Sequence, residues 1–214
     1  MDREIKGVIF DLDGVLCFTD RYHYQAWREL ADRLGIYFDE KINDRLRGIS
    51  RMDSLEIILE KSDRQYTLEE KTAFTEEKNA RYQELLQQMN EKDMTDEVRQ
   101  TLTELRQRGY RLAIGSSSKN TQFIIRQIGA VSYFDAVADG NDITRSKPDP
   151  EVFLKAAEKL GIAPEQCVVV EDAASGIRAA KAGNMTAYAL GGDAQHSAEK
   201  DVNLLTFSDL INYL

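Results

Sequence analysis

An α/β fold is what this 214-residue chain predicts: a doubly wound parallel sheet interrupted by an all-helical insertion. Three observations carry that reading. From about Glu97 to Leu190, stretches with helical apolar spacing alternate with short apolar runs. A glycine closes each helical stretch, at Gly109, Gly129, Gly161 and Gly183. Between Gly48 and Gly109 there is neither glycine nor proline, so a long region is free of helix breakers.

The chain opens on Val8-Ile9-Phe10, strand formers in an unbroken apolar run that suits a strand buried on both faces. The run stops at Asp11-Leu12-Asp13-Gly14. Residues 16–92 read as the helical insertion. Within it, Tyr24 to Ala31 has apolar residues at helical spacing and Gly35 suits the stop. Met52, Leu55, Ile58 and Leu59 repeat that spacing between Arg51 and Lys61. Thr67 followed by Glu70 is a capping box that opens a further helix. The rest of the core, residues 93–214, pairs helices with strands. Val98, Leu102 and Leu105 precede strand 112–114; Phe123, Ile124 and Ile128 precede strand 134–138. Val152, Phe153, Ala156 and Leu160 precede strand 168–170; Ile177 and Ala180 precede strand 186–190. The core, residues 1–15 and 93–214, is therefore a Rossmann-like sheet with helices on both faces. Ligands of such sheets sit outside the carboxyl ends of the strands. The insertion leaves from that edge and is expected to act as a lid over Asp11.

Composition narrows the partners. A formal net charge of -9 argues against a nucleic-acid surface, which would be basic. Any phosphate site must then be built from a few local cations and backbone N–H groups. The two cysteines, Cys17 and Cys167, have neither metal nor redox spacing, and Cys167 lies inside an apolar run as a small core residue. The first apolar run ends at Asp11, too short for a signal peptide or a membrane span. No membrane partner, a cytoplasmic location and a monomer are the expectations.

Each strand should deliver chemistry at its carboxyl end. Asp11 and Asp13 are costly to ionise there without a nearby positive charge, and a divalent cation with oxygen ligands would supply it. Taken alone, an Asp-x-Asp is equally a polar turn. Ser116-Ser117-Ser118-Lys119-Asn120 follow the strand at 112–114 and offer hydroxyls and N–H groups for an anion, or a plain serine cap. Lys147-Pro148-Asp149-Pro150 places a lysine just ahead of a helix that Pro150 opens. Val168-Val169-Val170 ends at Glu171 and Asp172, so the opening device occurs twice.

Phe10-Asp11-Leu12-Asp13-Gly14-Val15, with the later pieces in that order, resembles the haloacid dehalogenase superfamily of phosphoryl-transfer enzymes. The resemblance spans the whole chain. It implies that Asp11 is the nucleophile and Asp13 the general acid/base, and that Ser116 and Lys147 hold the phosphoryl group. It also implies Mg²⁺ on Asp11, Asp13, Glu171 and Asp172. The core does not separate a hydrolase from a mutase, since both pass through the same aspartyl-phosphate.

The insertion is similar to that of the phosphosugar-mutase branch of the superfamily. Thr19, His23, Ala26 and Trp27 carry the likeness, with Arg47-Gly48-Ile49-Ser50-Arg51-Met52-Asp53-Ser54-Leu55, Lys78-Asn79 and Ser118-Lys119-Asn120. That likeness implies a small phosphosugar substrate, β-D-glucose 1-phosphate converted to the 6-phosphate, with β-glucose 1,6-bisphosphate as the priming donor. The substrate-binding residues it implies are Thr19, His23, Trp27, Arg47, Gly48, Ser50, Arg51, Ser54 and Lys78, with Ser116, Ser117, Ser118, Lys119 and Asn120 of the core. Arg51 offers a fork for the distal phosphate; read without the resemblance, it is a solvated arginine at a helix start. Trp27 at helical spacing equally suits the core of the insertion. Phe18 departs from the pattern where relatives carry a polar residue, and Thr95-Asp96 stands where Pro-Gly is expected. The alternative on the same scaffold is a sugar-phosphate or phosphoglycolate phosphatase.

Overall fold

A computed structural model describes residues 4–46 and 49–214. Strand β1 (Gly7–Phe10) is followed by helices α1 (Asp20–Leu34), α2 (Glu40–Asp44), α3 (Arg51–Leu59) and α4 (Leu68–Leu86). Helices and strands then alternate: α5 (Asp96–Gln107), β2 (Arg111–Gly115), α6 (Thr121–Gln127), β3 (Ala136–Ala138), α7 (Glu151–Leu160), β4 (Cys167–Glu171), α8 (Ala174–Ala182) and β5 (Thr186–Leu190). The chain closes with β6 (Val202–Leu204) and α9 (Leu210–Tyr213).

The strands form one parallel sheet in the order β3-β2-β1-β4-β5-β6. Every residue of β1 and β4 is buried, which explains why both read as continuous apolar runs instead of alternating ones. In register, Phe10 lies between Ile114 of β2 and Val170 of β4. Strand order reverses between β1 and β4, so the crevice of such a sheet opens where Asp11 and the Glu171-Asp172 pair emerge. Ile9, Val169, Ala113 and Phe153 pack in one buried cluster with the apolar faces of α7 and α8. That burial is the dominant stabilising term, roughly 1.5–3 kcal/mol for each large apolar side chain.

Local signals account for the element ends. Gly35 and Gly161 take left-handed conformations and donate to last-turn carbonyls of α1 and α7. Thr67 and Glu70 form the expected capping box of α4. Thr95, one of the two departures noted in the sequence, accepts from the Val98 N–H and caps α5.

Three differences from the sequence reading have physical reasons. Helix α6 begins at Thr121, not among the serines, because Ser116 and Ser118 hydroxyls accept from the N–H groups of Ser118 and Asn120 and hold a loop there. Strand β3 starts at Ala136, not Phe134, because the Leu112 N–H is taken by the Asp135 carboxylate. Strand β6 lacked any signal: three residues, one of them Asn203, are too few to show a period.

By its internal contacts the chain divides into two units, Met1–Phe18 with Asn90–Leu214, and Thr19–Met89. The second unit has its own apolar core of Trp27, Leu30, Ala31, Ile36, Phe38, Ile42, Leu46, Leu55 and Ile58. Among the described residues no helix is long and apolar enough to cross a membrane.

Candidate active site

At the carboxyl ends of β1 and β4, carboxylates from distant parts of the chain meet one lysine. Asp11 donates its N–H to the Val170 carbonyl, 3.0 Å away, which ties the two strand tips together. The Lys147 ammonium lies 2.5 Å from Asp11 Oδ1 and 2.5 Å from Glu171 Oε1. All three side chains are buried. Glu171 uses its other oxygen to accept from the Ala173 N–H at 2.7 Å. The lysine is aimed by packing: a Cβ at Gly115 would press on the Phe153 ring, and that ring lies 4.7 Å from the Lys147 ammonium. The Lys147–Pro148 peptide bond is cis.

Asp172 stands beside this pair. Gly14, at φ 85°, lets it approach, because a Cβ there would overlap the Asp172 carboxylate. Carboxylate oxygens of Asp11, Glu171 and Asp172 lie within 4.8 Å of one another. Burial, then the charges of Glu171, Asp11 and Asp13, push Asp172 up to about 9. Burial, opposed by Lys147, leaves Glu171 at about 6. Burial lowers Lys147, but the Asp11 and Glu171 charges outweigh it and raise the lysine above its ordinary value. Asp11, Glu171 and Asp172 thus gather around Lys147, and the excess negative charge shows in the raised Glu171 and Asp172 carboxyls. An all-oxygen donor set of this kind fits a hard divalent cation such as Mg²⁺. Asp13 is half-buried and adds its charge to the group.

Across β1 from the acids, Ser116 follows the end of β2 and is buried. Its N–H reaches the Ala138 carbonyl, and its hydroxyl oxygen accepts from the Ser118 N–H, leaving the O–H to donate. The Ser117 hydroxyl is buried with no hydrogen-bond partner among the described residues. Ser118 is half-buried, Lys119 exposed, and Asn120 buried as the residue preceding α6. Cys17 is no rival nucleophile, since burial and the charges of Asp13 and Asp11 push its thiol well above the ordinary 9.0.

The helical unit carries a second cluster. Lys78, buried on α4, lies 2.8 Å from His23 Nδ1 on α1. An ammonium has only donors, so Nδ1 accepts and the ring proton sits on Nε2. The ammonium also lies 4.8 Å from the Trp27 ring and 4.6 Å from the Tyr82 ring. His23 stacks on Tyr82 at 4.0 Å. Burial, then Lys78 and Arg51, hold the imidazole well below its ordinary 6.5. Arg33, Arg45, Arg64 and Arg81 each pair with a glutamate. Arg51 instead donates to the amide oxygen of Asn79, 2.7 Å away.

Other residues singled out in the sequence have local structural work. Ser50 caps α3 by accepting from the Asp53 N–H, and Ser54 is buried and donates back to the Ser50 carbonyl. Trp27 is buried in the helical core. Thr19 is buried at the start of α1. Arg47 and Gly48 lie outside the described residues. Asn79 entered the sequence analysis only beside Lys78 in the likeness, and its bond to Arg51 on another helix left no spacing signal. Tyr82 escaped it, although its i+4 spacing from Lys78 along α4 was an available signal.

Residues 5–184 match the sequence pattern of the haloacid dehalogenase-like hydrolases. The chain belongs to that family. It is 38% identical over 189 residues to the β-phosphoglucomutase of Bacillus subtilis (strain 168), a match covering 87% of this chain and 84% of that protein. It is 32% identical over 180 residues to the phosphorylated carbohydrates phosphatase of Thermotoga maritima, covering 83% and 81%. Among solved structures, β-phosphoglucomutase from Clostridium difficile superposes with a TM-score of 0.90 at 35% identity, covering 98% of this chain and 95% of the other. Within the haloacid dehalogenase-like family, then, the likeness extends to mutases and to sugar-phosphate phosphatases alike.

Proposed function

We propose that this haloacid dehalogenase-like protein is a Mg²⁺-dependent β-phosphoglucomutase. It interconverts β-D-glucose 1-phosphate and β-D-glucose 6-phosphate through an aspartyl-phosphate on Asp11 and β-glucose 1,6-bisphosphate. The observation that carries the reading is the pair of separate cation sets. Lys147 serves the carboxylate cluster of the core, while Arg51 in the helical unit is held by the neutral Asn79 and keeps its charge for an anion. A mutase handles a bisphosphate and needs cations for both ends; the similarity to β-phosphoglucomutases supports the same reading.

Lys147 engages one Asp11 oxygen and leaves the other for attack on phosphorus. As that bond forms, the bond from phosphorus to the sugar oxygen breaks, and Asp13 gives a proton to the departing oxygen. In the second half, a sugar hydroxyl loses its proton to Asp13 and attacks the phosphorus, restoring Asp11. Lys147 and the Ser116 hydroxyl stabilise the equatorial oxygens. Asp11, Asp172, Glu171 and the Asp13 backbone carbonyl would hold the Mg²⁺. When bound, the ion offsets the repulsion between a carboxylate nucleophile and an anionic phosphate. In the helical unit, Arg51, Lys78 and the Nε2–H of His23 supply donors for the phosphosugar.

The phosphatase reading has a specific observation in its favour, the similarity to the Thermotoga maritima enzyme. One assay separates the two. Purified protein is given β-glucose 1-phosphate, Mg²⁺ and a trace of β-glucose 1,6-bisphosphate, and both glucose 6-phosphate and free phosphate are followed. The mutase yields glucose 6-phosphate well ahead of phosphate. Phosphate release matching substrate loss would replace the mutase with a phosphatase.

A further inference from the structure

We infer that Asp193, in the loop after β5, is a positioning residue that clamps the strand-to-helix turn bearing Asp172, so that its carboxylate is held ready for a divalent cation. The inference rests on the reading of Asp172 as a metal ligand and adds a residue outside the carboxylate cluster.

The first N–H groups of a helix have no partner within it. At the start of α8 the capping position is Ala173, whose side chain accepts nothing. The missing acceptor comes from across the sheet edge: Asp193 Oδ1 lies 2.6 Å from the Ala174 N–H. A carboxylate there also meets the positive end of the helix. The next residue of the same loop, Ala194, donates its N–H to the Asp172 carbonyl at 2.9 Å. Two consecutive loop residues thus grip the turn on both sides of Ala173.

Gly192 completes the clamp. Its φ is 53°, and a Cβ there would overlap the Asp172 carbonyl oxygen, so the loop backbone rests directly on the residue it holds. The Asp172 carboxylate is in turn fitted against Gly14. The loop is itself fixed by β5, which pairs with β4 up to Glu171 opposite Ala189. Asp193 is exposed and outside the acid cluster. Its effect on a cation therefore runs through the position of Asp172.

Calorimetric titration with MgCl₂ tests this on the purified full chain, without any substrate. Asp193→Ala should weaken Mg²⁺ binding about tenfold, the scale of losing an outer partner of a metal ligand. Asp193→Asn keeps an acceptor for the Ala174 N–H and should restore most of the affinity. Gly192→Ala strains the same turn from the other side and should weaken binding in the same direction. Thr95→Ala, which removes the cap of α5, should lower the melting temperature and leave Mg²⁺ affinity alone. Unchanged affinity in Asp193→Ala or in Gly192→Ala would overturn the clamp. Equal weakening in Asp193→Ala and Asp193→Asn would overturn it too, by assigning the effect to distant charge. A wild-type chain that does not bind Mg²⁺ would overturn the metal reading itself, and the clamp with it.

Discussion

In the core, the cation Lys147 is pinned between two carboxylates; in the helical unit, Lys78 and Arg51 are hydrogen-bonded to the neutral groups of His23 and Asn79. The first arrangement has an excess of negative charge and suits a metal ion. In the second, Arg51 meets a neutral amide and keeps its positive charge on a group already oriented, which suits a phosphate. The two clusters are also built differently. The core one is assembled from strand ends that the sheet register holds together, so its partners are far apart in sequence. The helical one lies on helix faces and is cushioned by the rings of Trp27 and Tyr82.

Lys147→Met should give the largest effect, because it strips the ammonium shared by Asp11 and Glu171 from a buried group of acids. Phosphoryl transfer falls about 10³-fold, the loss of a charge stabilising the transferring oxygens. Stability in denaturant falls by about 3 kcal/mol, the scale of breaking a buried ion pair. Retention of both would mean the lysine neither neutralises nor orients Asp11.

Arg51→Ala sharpens the contrast. Turnover of β-glucose 1-phosphate drops about 100-fold, a charge-assisted contact of about 2.7 kcal/mol. Phosphorylation of Asp11 by acetyl phosphate, a donor with no sugar, stays at the wild-type rate. Equal loss of both activities would make Arg51 a structural residue of the helical unit.

The smallest effect is in pH dependence, where the two clusters should respond with opposite sign. In metal-free protein Asp172 and Glu171 sit at about 9 and about 6, above their ordinary 3.8 and 4.5. A carboxyl whose folded value is raised binds its proton more tightly in the native state. Its contribution is present at low pH and is lost as pH rises through the window from about 4 to about 9. His23 is lowered from 6.5, so the unfolded chain takes the proton first, and stability is lost as pH falls below 6.5. Denaturant unfolding across this range reads both slopes. Asp172→Asn, or saturating Mg²⁺, should flatten only the alkaline one, and His23→Gln only the acid one. A single variant flattening both would show that the clusters do not titrate separately.

What was legible in the sequence follows from how local each signal is. Helix stops at Gly35 and Gly161 and the box at Thr67 and Glu70 involve neighbours a few residues apart, and they lie where the pattern puts them. Strands β1 and β4 show as apolar runs because both faces are covered. Less visible was whatever depends on pairing across the chain. Lys147 and Asp11 are 136 residues apart, and no spacing rule links them; only the likeness to a family did. The Arg51–Asn79 bond joins two helices in the same way. Asp193 was hidden for a further reason: it caps a helix that begins before it in the chain, whereas cap signals are sought just ahead of a helix. The Gly191-Gly192 pair was the one local sign that the backbone makes a close approach there.

The most direct test is to find the phosphoryl group. Wild-type protein is incubated with acetyl phosphate and Mg²⁺, quenched in acid, digested and mapped by mass spectrometry. A phosphate adduct on the peptide containing Asp11, absent in Asp11→Asn, is the predicted result. An adduct on any other residue, or one that persists unchanged in Asp11→Asn, would contradict a carboxylate nucleophile at the tip of β1.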